Sequence, residues 1–204
     1  MKIDLQSIGI ESVQEAIEKG SLVFNEETKS EDFNRACDHI LVLLEDSFQC
    51  FERDSWGTSV FLSITAIEEV AKAEVGLYRR NGQIQEVKRG KDKLFNHQEK
   101  HRMAVLPTVF MGERLRDALG KERCAELLKE AAHGDFRNLR ESALYFTNSN
   151  GQFVTPANVV TKEKAREFLL LALETADDRL VGYTGHTGVI ENRMDLIFSA
   201  LTHS

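Results

Sequence analysis

Two prolines, Pro107 and Pro156, are all that interrupt the 204 residues, and glycine is no more abundant than in ordinary proteins. A disordered or low-complexity chain is excluded by that composition. The three cysteines, Cys37, Cys50 and Cys124, are odd in number and widely spaced, with no C-x-x-C pair, so neither a disulfide framework nor a zinc site is expected. A reducing cytoplasm is the expected location. Apolar runs such as Ile40 to Leu44 fall far short of the roughly 18 residues that span a bilayer, and the first residues have no continuous apolar stretch. Neither secretion nor a membrane partner is expected.

What is present is an ordinary globular mixture, 42% hydrophobic and 29% charged. A chain of this length can bury a core of its own, so a single domain is expected over 1–204, with 1–29 as an N-terminal extension and 182–204 as a C-terminal turn and helix. The net charge of −7 argues against a generic nucleic-acid coat, because the overall field repels phosphate. Locally the balance reverses. Between Arg79 and Arg102 eight basic residues face three acidic ones, a surplus of +5 that includes Lys88, Arg89, Lys91, Lys93 and Arg102. These five are candidate RNA contacts, although a charge run is also the ordinary composition of a solvated face.

Hydrophobic periodicity is helical throughout, and no stretch alternates long enough for a half-buried strand. Phe33, Cys37, Ile40, Leu44, Phe48 and Phe51 define a helix over Ser30 to Glu52, following a short one near Val13 to Lys19. Val60, Ile64, Ile67, Ala71, Val75 and Tyr78 define another from about Gly57 to Arg80, and a third is expected over Lys91 to Leu106, bounded by Pro107. Shorter helices follow around Arg114–Leu119 and Glu122–Ala132, with another short piece ending at Leu144. The polar stretch Thr147 to Asn158 reads as a loop, and the remaining helices are Lys162 to about Val181 and Val189 to Leu201. The expectation is an all-α fold, one helical bundle of about six to eight helices.

Advancing about 100° per residue along the second long helix places Glu68 inside the arc of Val60, Ile64, Ile67, Ala71 and Val75. A carboxylate there needs a cation or a donor beside it, or must keep its proton. On the next helix Leu94, Gln98, His101 and Val105 share a face, with His97 on the flank and Lys100 three residues beyond it. Two helices turning ionisable groups toward one interior can assemble a carboxylate, lysine and imidazole cluster. Such a cluster is either a functional site or a buried salt-bridge network that holds helix register. A ferritin-like di-metal site needs Glu-x-x-His pairs, and Lys72 occupies the position three after Glu69, so no metal and no cofactor is expected.

The run FLSITAIEEVAKAEVGLY (Phe61 to Tyr78), then FNHQEK (Phe95 to Lys100), then LRESALYF and the helix beyond the loop, resembles the AbiV-type abortive infection proteins of the HEPN superfamily. The likeness runs in order from about Ala36 to about Leu180, and its most specific elements are EE-x-x-K and H-x-x-K. It implies a HEPN-like helical fold and bacterial defence against phage, in a superfamily rich in metal-independent endoribonucleases. The matching residues are Glu68, Glu69, Lys72, His97 and Lys100. In RNA cleavage His97 could act as acid or base, with Lys100 or Lys72 as the cation that stabilises the phosphorane. Superfamily nucleases also carry an arginine and a histidine with four to six residues between them, a pattern met here by Arg179 and His186 with six. Either cluster could be the catalytic one.

Two functions follow. The first is an endoribonuclease acting on RNA at a homodimer cleft. The second is a non-catalytic helical module that senses a phage protein activator or blocks translation. Homodimerisation is expected from superfamily habit, from apolar arcs wide for a small bundle, and from the prevalence of twofold pairs.

Overall fold

The computed structural model describes residues 4–107, 113–149 and 151–203. Both ends of the expected domain 1–204 and Asn150 of the expected loop therefore lie outside the described residues. Within them the fold is all-α. Its elements are α1 (Leu5–Glu18), α2 (Lys29–Glu52), α3 (Trp56–Tyr78), α4 (His97–Val105), α5 (Glu113–Leu119), α6 (Lys121–His133), α7 (Asp135–Ser142), α8 (Pro156–Val159), α9 (Lys162–Leu180) and α10 (Thr187–His203). One antiparallel hairpin, β1 (Thr147–Ser149) with β2 (Gln152–Val154), lies between α7 and α8.

Helices α3 and α9 form the centre. They pack on each other and on α2, while α4 and α7 cover another side of α3 and α10 closes over α2 and α9. Both are buried nearly all round, α9 without a break from Phe168 to Ala176. Each fully buried leucine, isoleucine or phenylalanine here contributes about 1.5–3 kcal/mol relative to exposure. Small residues let α2 and α3 approach closely. The Ser47 hydroxyl lies 2.9 Å from the Ser59 carbonyl oxygen and 3.0 and 2.9 Å from the Ser59 and Ser63 hydroxyls, so the polar atoms at this contact stay paired.

Several boundaries differ from the sequence reading. Helix α1 starts near Leu5 rather than Val13, because the Asp4 carboxylate caps the Gln6 amide at 3.1 Å. The expected helix over 91–106 is two 3-10 turns, Arg89–Lys91 and Lys93–Phe95, followed by a shorter α4. Two side chains impose the break: Asp92 caps the Leu94 amide at 2.9 Å and Asn96 caps the Glu99 amide at 3.3 Å. His97 thereby becomes the first residue of α4. The segment read as a loop contains the hairpin, whose three-residue strands are too short to show alternation, and then α8, closed by a Thr155–Asn158 capping box.

Arg79, counted in the basic run, is not a surface charge. Its side chain is 1% exposed; it pairs with Asp92 at 2.8 Å and donates to the carbonyls of Ala16, Lys19 and Ser21 at 2.9, 2.7 and 2.7 Å. The end of α1, the end of α3 and the loop before α4 are tied at this one guanidinium. Gly20, at φ +148°, lies against it, and a Cβ there would sit 2.2 Å from Nη2.

Candidate functional site

Glu68 sits mid-way along α3, and its carboxylate is 3% exposed. Opposite it, α4 supplies three nitrogens within one helical turn. Lys100 Nζ lies 2.6 Å from Oε2, His97 Nδ1 lies 2.8 Å from each oxygen, and His101 Nε2 lies 3.1 Å from Oε1. The spacing explains the convergence: positions 97, 100 and 101 are three and four apart, so they share one helix face. From α7, Arg140 brings Nε to 3.7 Å from Oε1 and lays its guanidinium over the Phe61 ring, 4.5 Å from the centroid.

The electrostatics follow from this packing. Burial alone would raise the Glu68 carboxyl; hydrogen bonds from His101 and Lys100, with the Lys100 charge, outweigh it and hold the group at about 2. His101 is fully buried against Phe136, ring centroids 5.5 Å apart, and burial keeps its imidazole below the ordinary histidine range despite the nearby carboxylate. A neutral His101 donates from Nε2 to Glu68, and its Nδ1 has no partner among the described residues. His97 differs from it. With Nδ1 engaged by Glu68 and its side chain 43% exposed, its Nε2 is the nitrogen left open. A buried carboxylate that fixes a half-exposed imidazole is the arrangement by which a histidine is oriented for proton transfer.

A pH test isolates His101. Its folded pKa lies below its unfolded value of 6.5, so below that pH the unfolded state takes up the proton and wild-type stability falls. The difference in melting temperature between wild type and His101→Gln should therefore narrow as pH drops from about 7 to about 5. A widening gap would mean that the buried imidazole is charged. Glu68 contributes in a lower window, its stabilisation present above 4.5 and lost toward about 2. Glu74, Glu174, Asp177 and Asp178, raised by burial, act with the opposite sign, and so the comparison is made between variants.

The other sequence candidates go elsewhere. Glu69 and Lys72 pair with each other at 2.6 Å and line a small cavity with His39 and Phe24, on the α2 side of α3. Arg179 makes a two-pronged ion pair with buried Glu74, while His186 pairs with Asp38 at 2.7 Å. Each of the two is thus bound to a different acid. Of the basic run, Lys88, Arg89 and Lys91 are exposed, with Arg89 over the Phe95 ring at 4.4 Å. Lys93 is engaged by Glu15 and Glu99 at 3.0 and 2.9 Å, and Arg102 by the Ala132 carbonyl and Glu99 at 2.7 and 3.0 Å.

A family model described as AbiV, of HEPN type, matches residues 33–176, from α2 through most of α9. The chain belongs to the AbiV family of HEPN domains. No match was found among curated proteins or among solved structures. The matched span contains Glu68, Glu69, Lys72, His97, Lys100 and Arg140 and ends before Arg179 and His186, a few residues short of the likeness read from the sequence. Two residues around Glu68 were not singled out as site candidates in the sequence. His101 carried a signal, its place on the inward face of α4. Arg140 carried only its place in the LRESALYF run, since its partners Phe61 and Glu68 lie more than seventy residues away along the chain.

Proposed function

We propose that this protein is an abortive-infection defence protein whose Glu68–His97 pair performs the proton transfers of metal-independent RNA cleavage. The observation that carries the reading is the open Nε2 of His97, whose Nδ1 is tied to a buried carboxylate. In this mechanism Nε2 takes the 2′-hydroxyl proton as the 2′-oxygen bonds to phosphorus. The same imidazole returns that proton to the departing 5′-oxygen as the P–O5′ bond breaks, leaving a 2′,3′-cyclic phosphate and a 5′-hydroxyl. Glu68 stabilises the transient imidazolium. Lys100 holds Glu68 ionised, and Lys88, Arg89 and Lys91, exposed on the segment leading into α4, guide the RNA backbone.

Total RNA incubated with purified protein and EDTA should be cut, with any phage protein activator supplied. Intact RNA under those conditions would favour the non-catalytic reading. That reading has one observation behind it: among the described residues of the Glu68 cluster only His97 is a solvent-open acid or base, so a single group must serve both transfers. The homodimer belongs to the same proposal, and light scattering should give twice the chain mass of 23.1 kDa.

A further inference from the structure

Around Glu68 positive charge exceeds negative. Lys100 neutralises the carboxylate at 2.6 Å and His101 is neutral, which leaves Arg140 as a second full cation. Its approach to Glu68 at 3.7 Å is too long for a hydrogen bond, and its Nε is buried without a partner. No other described carboxylate lies within ion-pair distance of it; Glu141, one residue along α7, pairs instead with Arg137 at 3.6 Å. A guanidinium with no acid of its own is nonetheless held in place, because Phe61 stacks beneath its plane. The side chain keeps 23% exposure with Nε buried, so its Nη atoms are the ones that reach solvent, and His97, 43% exposed, lies against the same carboxylate. Both residues bracket the same Glu68 oxygen, His97 at 2.8 Å and Arg140 at 3.7 Å.

We propose that Arg140 and His97 form a subsite for one phosphate oxyanion, with the Arg140 fork gripping the non-bridging oxygens while His97 faces the bridging ones. This inference rests on the reading of the Glu68 site as the place of RNA cleavage, and it names the cation that the site otherwise lacks. Lys100 is committed to Glu68, and Lys72 lies on the α2 side of α3. A planar guanidinium pairs two parallel donors with two phosphate oxygens, a match that an ammonium cannot make. As negative charge builds on those oxygens during cleavage the contact strengthens, so Arg140 stabilises the transition state more than the bound substrate.

Inorganic phosphate titrated into the full chain should give saturable NMR shifts at the Arg140 Nε–H and the His97 ring. Arg140→Gln, its fold checked by thermal melting, should weaken that binding at least about ten-fold, the worth of one charge-assisted hydrogen bond. Arg140→Lys should fall between the two, and it serves as the test variant if the glutamine protein does not fold. Phosphate affinity in the folded variant within about two-fold of wild type, or shifts confined to the Lys88–Lys91 segment, would overturn the subsite. A 2′-O-methyl oligoribonucleotide that displaces phosphate more strongly than AMP assigns the oxyanion to an RNA diester; the reverse order assigns it to a free nucleotide. Phosphate binding at Arg140 without RNA cleavage would retire the nuclease reading and leave the subsite standing. Cleavage with unchanged kcat and KM in the folded Arg140→Gln protein would do the opposite.

Discussion

His97→Ala should cut RNA roughly 10²- to 10⁴-fold more slowly than wild type, the usual contribution of a positioned general acid–base group. Cells carrying the variant should lose protection in phage plaque assays to the same degree. Its melting temperature should barely change. The side chain is nearly half exposed and packs little, and when it is removed Glu68 keeps Lys100 at 2.6 Å and His101 at 3.1 Å. Stability should therefore stay within about 1 kcal/mol of wild type, as for most surface substitutions. The contrast between activity and melting is the diagnostic. A stably folded His97→Ala protein with full protection would remove this residue from the site and return attention to Arg179 and His186.

Glu68→Ala should behave in the opposite way and lose the fold. The substitution strands the Lys100 ammonium, 9% exposed, and takes from the buried His101 Nε2–H its only acceptor among the described residues. Removing one partner of a buried pair costs roughly 3 to 5 kcal/mol, because the remaining charge keeps its desolvation penalty with nothing to offset it. For a domain of this size each kcal/mol lowers the melting temperature by about 2–4 °C, so a fall of roughly 6–20 °C is expected. Glu68→Leu combined with Lys100→Met should recover a large part of the loss, since a matched apolar pair leaves no orphan charge. A single variant that melts like wild type would show that water reaches the cluster and that the network does not hold α3 and α4 together. Pairing these melts with the His97→Ala assays separates a residue that acts on substrate from one that holds the acting residue in place.

The inward position of Glu68 was legible in the sequence because a helix of known pitch places position 68 among Ile64, Ile67, Ala71 and Val75 whatever surrounds it. A carboxylate in that arc had to be paired. His97 and Lys100 were also legible as partners, partly from their spacing and partly from the family pattern that contains them. The start of α4 was less so. Asn96 and Asp92 end the preceding turns through local side-chain caps, and hydrophobic period alone had merged those turns with the helix. Arg79 was misleading for a related reason: a charge run says nothing of which member is enclosed, and this one caps three carbonyls inside the fold.

By itself, then, the sequence determined what depends on neighbours along the chain: the all-α class, the long helices, the family, and the face of α3 on which Glu68 lies. The tertiary structure alone decided which charges are consumed and which are free. Glu69 and Lys72 pair on the α2 side of α3, Arg179 and His186 are each taken by an acid from another helix, and Arg140 arrives from α7 at a Glu68 already paired with Lys100, with no other carboxylate within ion-pair distance of it among the described residues. Ion pairing and desolvation act through space over a few ångströms. Arg140 and Glu68, Arg179 and Glu74, and His186 and Asp38 are each more than seventy positions apart in the chain, and no local pattern records their meeting.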